Sequence, residues 1–229
     1  MSSQSRILVW DSPTRLFHWL LAISFLSALV TAESERLRNI HTAAGYAFLA
    51  LIAFRLVWGL MGTRYARFRD FCYAPAEMMR YVRSLVTGRP RHYVGHNPVG
   101  GVAIFALLGL GLAAGLSGWA TLNEIGGDAL EDLHESAAVA LLVLVGLHVA
   151  GVIVSSVLHR ENLALAMVTG FKTGAPHDGI RRSHPWIALV VAMVAVGIWS
   201  SAIVDWTGPS LATPASASHR PAHRGDGDD

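Results

Sequence analysis

The sequence predicts an all-α fold, a helical bundle set in a membrane, and three observations predict it. Only 15% of the 229 residues are charged and 52% are hydrophobic, against roughly a quarter charged in soluble domains. Five apolar runs have the length of a bilayer crossing, about 20 residues at ~1.5 Å of rise each. The runs lack the apolar–polar alternation of half-buried strands, so helices, which satisfy their own backbone in lipid, are the elements expected. The composition excludes a disordered or fibrous chain and argues against a soluble enzyme. A formal charge of +2 is too small for a nucleic-acid binder; no nucleic acid is expected as a partner, and membrane lipid is. The single cysteine, Cys72, excludes an internal disulfide framework and any Cys-x-x-Cys motif.

The first run, Leu16 to Ala32, follows Ser12-Pro13, read as an N-cap and a first-turn proline. Arg6 before it and Leu29-Val30-Thr31-Ala32 at its end imitate a signal peptide. Asp11 and Arg15 crowd the apolar segment, however, and His18 and Trp19 lie inside it, so a retained helix is expected. The second run is Ile40 to Met61. The third, Pro98 to Thr121, is rich in glycine and holds a Gly-x-x-x-Gly pair, Gly111 and Gly115, read as close helix packing. Glu135 to Leu158 is the fourth and Pro185 to Val204 the fifth. Together they make one transmembrane domain over residues 1–204. Residues 205–229, rich in Pro, Ala, Ser, His and Asp, read as a disordered tail.

The loops assign the sides. Between runs two and three lie Arg64, Arg67, Arg69, Arg80, Arg83, Arg89 and Arg91, opposed only by Asp70 and Glu77. Arg160, Lys172, Arg181 and Arg182 follow run four. Between runs three and four stand Glu124, Asp128, Glu131 and Asp132 with no lysine or arginine. Basic loops stay in the cytoplasm, which puts the N-terminus inside and the C-terminus outside.

Histidine is the anomaly: 11 copies in a chain with one lysine. His18 starts run one and is near the inner side; His41 and His134 start runs two and four and are near the outer side. His148 follows His134 by 14 residues, about 21 Å of helix rise and ~40° short of four full turns, so the two share a face and His148 lies inside. Four histidines thus form two levels, His41 with His134 outside and His18 with His148 inside, each pair drawn from two helices. An imidazole in lipid is costly without a partner. Haem iron accepts one nitrogen on each face of its ring, and an all-nitrogen site with no open position favours electron transfer. Taken singly, His18, His41 and His134 also fit wet imidazoles at an interface. His148, in the middle of an apolar helix, does not, and the joint pattern carries the ligand reading. The remaining histidines, His92, His96, His159, His177, His184, His219 and His223, lie in loops, at a helix end or in the tail.

Arg55 follows His41 by 14 residues and returns to the same face at the inner depth. Two readings fit it: a fork on an inner-haem propionate, or snorkelling to the cytoplasmic surface. Arg15 carries the same pair of readings, with the flanking role favoured. Gly45, Gly146 and Gly151 stand near His41 and His148 and supply room for a flat macrocycle. Glu135 and the acidic loop read as solvated; a proton relay at Glu135 and the steering of a basic partner by the loop are the competing readings.

The chain resembles the bacterial cytochrome b561 and nickel-iron hydrogenase cytochrome b subunit family. The resemblance lies in Val9-Trp10-Asp11 through Arg15-Leu16-Phe17-His18-Trp19, in Ile40-His41-Thr42-Ala43-Ala44-Gly45-Tyr46 and in Arg55-Leu56-Val57-Trp58-Gly59. It continues through His96-Asn97-Pro98, Gly118-Trp119, Leu133-His134-Glu135, Gly146-Leu147-His148 and His159-Arg160-Glu161-Asn162-Leu163, and covers residues 6 to 175. It implies a four-helix haem-binding core with two haem b groups on His18, His41, His134 and His148, here joined by a fifth transmembrane helix. It also implies a bacterial inner membrane location, with the C-terminus periplasmic, and electron exchange with quinone.

The leading expectation is a di-haem electron carrier between the quinone pool and a redox protein such as a c-type cytochrome. The alternative is the membrane anchor and electron-transfer subunit of a hydrogenase or dehydrogenase complex. A divalent-metal transporter ranks far below both, because its ligands would gather at one depth with carboxylates.

Overall fold

The computed structural model describes residues 5–88 and 91–207. In chain order these form β1 (Ser5–Leu8), α1 (Ser12–Thr31), α2 (Arg38–Met61), α3 (Pro75–Val86), α4 (Pro98–Leu122), α5 (Asp128–His159), α6 (Leu163–Thr169), β2 (Phe171–Gly174) and α7 (Pro185–Thr207). Four helices are long and apolar enough to cross a membrane: α1, α2 with the 3₁₀ turn before it, α4 and α5. α7 carries a shorter apolar stretch, Pro185–Ser201. Of the expected tail, 205–207 continue α7, and 208–229 lie outside the described residues.

Each departure from the sequence reading has a local cause. The N-cap of α1 is Asp11, not Ser12: its carboxylate accepts the Thr14 N–H at 2.7 Å, while the Ser12 hydroxyl bonds that of Ser183 at 2.5 Å. Asp11 is selected because the chain returns to it. The Trp58 indole (3.2 Å) and the Thr63 hydroxyl (2.6 Å) also donate to this buried carboxylate, tying the start of α1 to the end of α2. α5 begins seven residues before the apolar run, at Asp128. Gly126 and Gly127, with φ of 80° and 57°, break the chain there, and Asp128 and Glu131 complement the helix N-terminus. Two strands also appear where none was expected. β1 and β2 pair antiparallel with Ser5 opposite Gly174 and Leu8 opposite Phe171. The staple continues as Val9 and Trp10 donate to the Gly170 carbonyl.

α2 packs on α1, α4 and α7, whereas α5 packs chiefly on α4. Of the 32 residues of α5, only Ala137 and Leu141 are buried. Lipid offers no hydrophobic driving force between helices, so close approach matters more. A Cβ at Gly111 would lie 2.8 Å from Ile52 and 3.1 Å from the Phe48 ring, so glycine there lets α4 seat against α2; one at Gly115 would press only on the end of the Leu49 side chain, at 2.9 Å. Phe48, Ile52, Leu108 and Leu141 form an apolar layer with Leu21 and Phe25 against it. Leu141 stands midway between His134 and His148, and Phe48 midway between His41 and Arg55. The layer therefore separates the two imidazole levels.

Candidate haem-binding sites

The outer pair is brought together. The His41 ring, near the start of α2, and the His134 ring, in the second turn of α5, lie 6.2 Å apart between centres at 88°. Two imidazoles sharing one metal ion hold their ring centres about 6 Å apart, given metal–nitrogen bonds of ~2.0–2.1 Å plus the ring radii. His41 Nδ1 lies 2.9 Å from the Ala28 carbonyl and His134 Nδ1 2.8 Å from the Ala114 carbonyl. A carbonyl only accepts, so each Nδ1 carries the proton and each Nε2 keeps its lone pair. Metal-ligating histidines are commonly oriented in this way. The Ala28 carbonyl can take the imidazole because the Ala32 N–H at the end of α1 turns to Leu29 instead, leaving it otherwise only a long contact from the Thr31 hydroxyl at 3.3 Å. Space is provided on both sides. A Cβ at Gly118 would lie 2.7 Å from the His134 ring, and nothing lies within 4 Å of where a Cβ at Gly45 would stand.

The inner level gathers more residues than the sequence reading assigned to it. His18 on α1 and His148 on α5 lie within Coulombic reach of each other, and His18 Nδ1 is buried without a hydrogen-bond partner. Arg55 is 3% exposed, which leaves no snorkelling path to the surface. Its guanidinium lies over the Phe68 ring at 4.8 Å and keeps Nη1 buried without an acceptor. Arg15 turns to the protein instead, donating to the Val168 carbonyl at 2.7 Å and to Ser12 at 3.2 Å.

His96, read from sequence as a loop residue, belongs to this level. Its ring packs 4.7 Å from both Trp10 and Phe71, its Nδ1 is buried without a partner, and it lies within reach of Arg55, His148 and His18. Burial, reinforced by Arg55 and Lys172, pushes its pKa down to about 3 and keeps the ring neutral. Gly101 permits the arrangement, since a Cβ there would lie 2.6 Å from the Phe71 carbonyl. The one available sequence signal was the placement of His96-Asn97-Pro98 at the mouth of α4, where Asn97 caps the helix through the Gly100 N–H at 2.8 Å.

The arrangement suits a porphyrin at each level. Outside, two imidazole rings stand 6.2 Å apart with both Nδ1 atoms on backbone carbonyls. Inside, buried donors without acceptors stand ready for an anionic group. Open space adjoins Gly45, Gly146 and Gly151. Among the described residues, no three His, Cys, Asp or Glu side chains converge as a metal-ion site would require, and the apolar layer divides the imidazoles into pairs. Glu135, expected at a solvated helix start, is exposed but sits two turns into α5, which begins at Asp128.

The chain is similar to known proteins. The family model of prokaryotic cytochrome b561 matches residues 9–170. A probable Ni/Fe-hydrogenase B-type cytochrome subunit of Rhodobacter capsulatus is 22% identical over 218 residues, covering 74% of this chain and 82% of its own length. Proteins of the same description from Azotobacter vinelandii and Azotobacter chroococcum mcd 1 are 25% and 26% identical, each covering 74% of this chain and 89% of its own length. No solved structure matches the chain. With its helices long and apolar enough to span a bilayer and its family match covering most of its length, the chain belongs to the prokaryotic cytochrome b561 family, as a haem-binding, multi-pass protein of the bacterial inner membrane.

Proposed function

We propose that this chain is the di-haem membrane subunit of a hydrogenase- or dehydrogenase-type complex, moving electrons between a catalytic subunit at the outer face and quinone. The observation that carries the reading is the outer imidazole pair, with both Nδ1–H groups committed to backbone carbonyls and both Nε2 atoms free. His41 and His134 hold one haem b and His18 and His148 the other. Bound haem supplies a one-electron couple. The protein fixes ligand tautomer and angle outside, keeps the midplane dry with Leu141 and Phe48, and sets Arg55 against an inner propionate. α7 makes a fifth crossing, the N-terminus is cytoplasmic, and the C-terminus is periplasmic.

Assembly with a catalytic subunit is supported by the relatives, which are described as hydrogenase subunits. A second reading, a stand-alone carrier serving a c-type cytochrome, is favoured by the exposed Glu124, Asp128, Glu131 and Asp132 beside the outer pair. Purification of the chain from its native membrane separates them. Stoichiometric recovery with a large catalytic subunit is expected; recovery as a lone red protein fails the complex and leaves the carrier, and recovery without haem fails both.

A further inference from the structure

We propose that a small, partly open cavity on the face of the basic loops is a proton conduit between surface water and the inner level. The proposal rests on the quinone reading above. The cavity has a volume of about 30 Å³, and His92, Asn97, His159, Glu161 and Lys172 line it together with Tyr93, Gly95 and Leu163. A water needs ~10–15 Å³ and two to four polar partners, so one or two fit.

The fold builds this cavity from distant segments. α5 ends at His159, and Arg160, left-handed at φ 52°, turns the chain so that Glu161 comes back beneath the helix end. β2 brings in Lys172, the only lysine of the chain, with its side chain 4% exposed. Its ammonium donates to the Val94 carbonyl at 3.0 Å and lies 3.1 Å from Glu161 Oε2, an oxygen on which no donor is aligned. A buried ion pair is weak evidence of stability, because desolvation cancels much of its attraction. One that opens on a water-sized space calls for another account.

The cluster has two ends. At the surface, His92 is half exposed, with Nε2 3.9 Å from Glu161 Oε2 and its ring 5.7 Å from that of His159. At the inner end, Asn97 lines the cavity and its neighbour His96 lies between Trp10 and Phe71, within reach of His18 and His148. Polar groups thus reach from solvent to Asn97, and the next residue, His96, carries a buried Nδ1 with no hydrogen-bond partner between the Trp10 and Phe71 rings, toward the inner imidazole pair.

The chemistry requires such a route. Reduction of a quinone to the quinol consumes two electrons, which two haem sites can hold, and two protons, which lipid cannot supply; oxidation of the quinol releases both. Glu161, His159 and enclosed water pass the protons, and Lys172 fixes the carboxylate.

The test uses the full-length haem-loaded chain in lipid nanodiscs, chemically reduced and mixed rapidly with decylubiquinone or with ferricyanide, which takes an electron and no proton. Glu161→Gln, and the charge-neutral pair Glu161→Gln with Lys172→Met, are expected to slow re-oxidation by the quinone roughly tenfold or more. Ferricyanide rates, haem content and both midpoint potentials are expected to stay at wild-type values, and Glu161→Asp to keep most of the quinone rate. Unchanged quinone rates in both variants, or quinone and ferricyanide rates that fall together, overturn the conduit. A wild-type chain oxidised by ferricyanide but not by the quinone fails the quinone reading itself, and the conduit falls with it.

Discussion

Gly118→Ala tests how tightly the outer site is built. A Cβ there would lie 2.7 Å from both Cε1 and Nδ1 of the His134 ring, roughly half an ångström or more short of ordinary contact. Overpacking of this kind costs about 1–3 kcal/mol if everything stays in place. The ring can escape only by swinging away from α4, which gives up the Nδ1 bond to the Ala114 carbonyl, worth ~1 kcal/mol, and misaims Nε2. Loss of an orienting bond of this type lowers metal affinity about 10–100-fold. Gly115→Ala is the control, since its Cβ meets only the flexible end of Leu49. Haem content per chain, measured as the pyridine complex, and redox titration form the assay. Gly118→Ala is expected to lose or weaken one haem with the other midpoint unmoved, while Gly115→Ala keeps both. Full occupancy with unchanged midpoints in Gly118→Ala would refute the packing argument.

Three further outcomes are expected. His148→Ala removes the inner haem and leaves the outer one spectrally intact; two haems at full occupancy in the variant would disprove the inner pairing. Arg55→Ala lowers the inner midpoint potential, because a nearby positive charge favours the reduced state. At an effective dielectric of ~20 and ~10 Å the charge is worth about 1.7 kcal/mol, some tens of millivolts, and an unmoved pair of midpoints rejects the propionate contact. His96 stays neutral when folded while its unfolded form takes a proton below about 6.5, so stability falls as pH drops from there toward about 3. Thermal unfolding of wild type and His96→Phe across that window should show a shallower acid slope in the variant; parallel slopes would contradict the burial argument.

The sequence carried the helices and the two levels because helix geometry is rigid: a 14-residue interval fixes both depth and face, and burial of Leu141 and Phe48 between the levels follows from the same arithmetic. His96 was not legible, since the depth of a loop histidine depends on the chain folding back between Trp10 and Phe71. The strand pair was not legible either. Four residues show no period, and their partners lie more than 160 positions away. Asp11 and Ser12 are both good caps by type, and the choice was made by Trp58, at the end of α2, and Thr63, just after it, which donate to Asp11. Lys172 reads as an ordinary loop charge and Glu161 only as part of the stretch His159–Leu163, until a left-handed turn and a strand bring the two to one cavity.

The most direct measurement is low-temperature electron paramagnetic resonance of the oxidised full-length chain, calibrated against its haem content. Two low-spin ferric haems per chain are predicted. The near-perpendicular His41 and His134 rings should leave the iron π orbitals of the outer haem almost degenerate and its signal strongly anisotropic. A single haem, or a high-spin signal from an iron with an open position, would contradict paired histidine ligation.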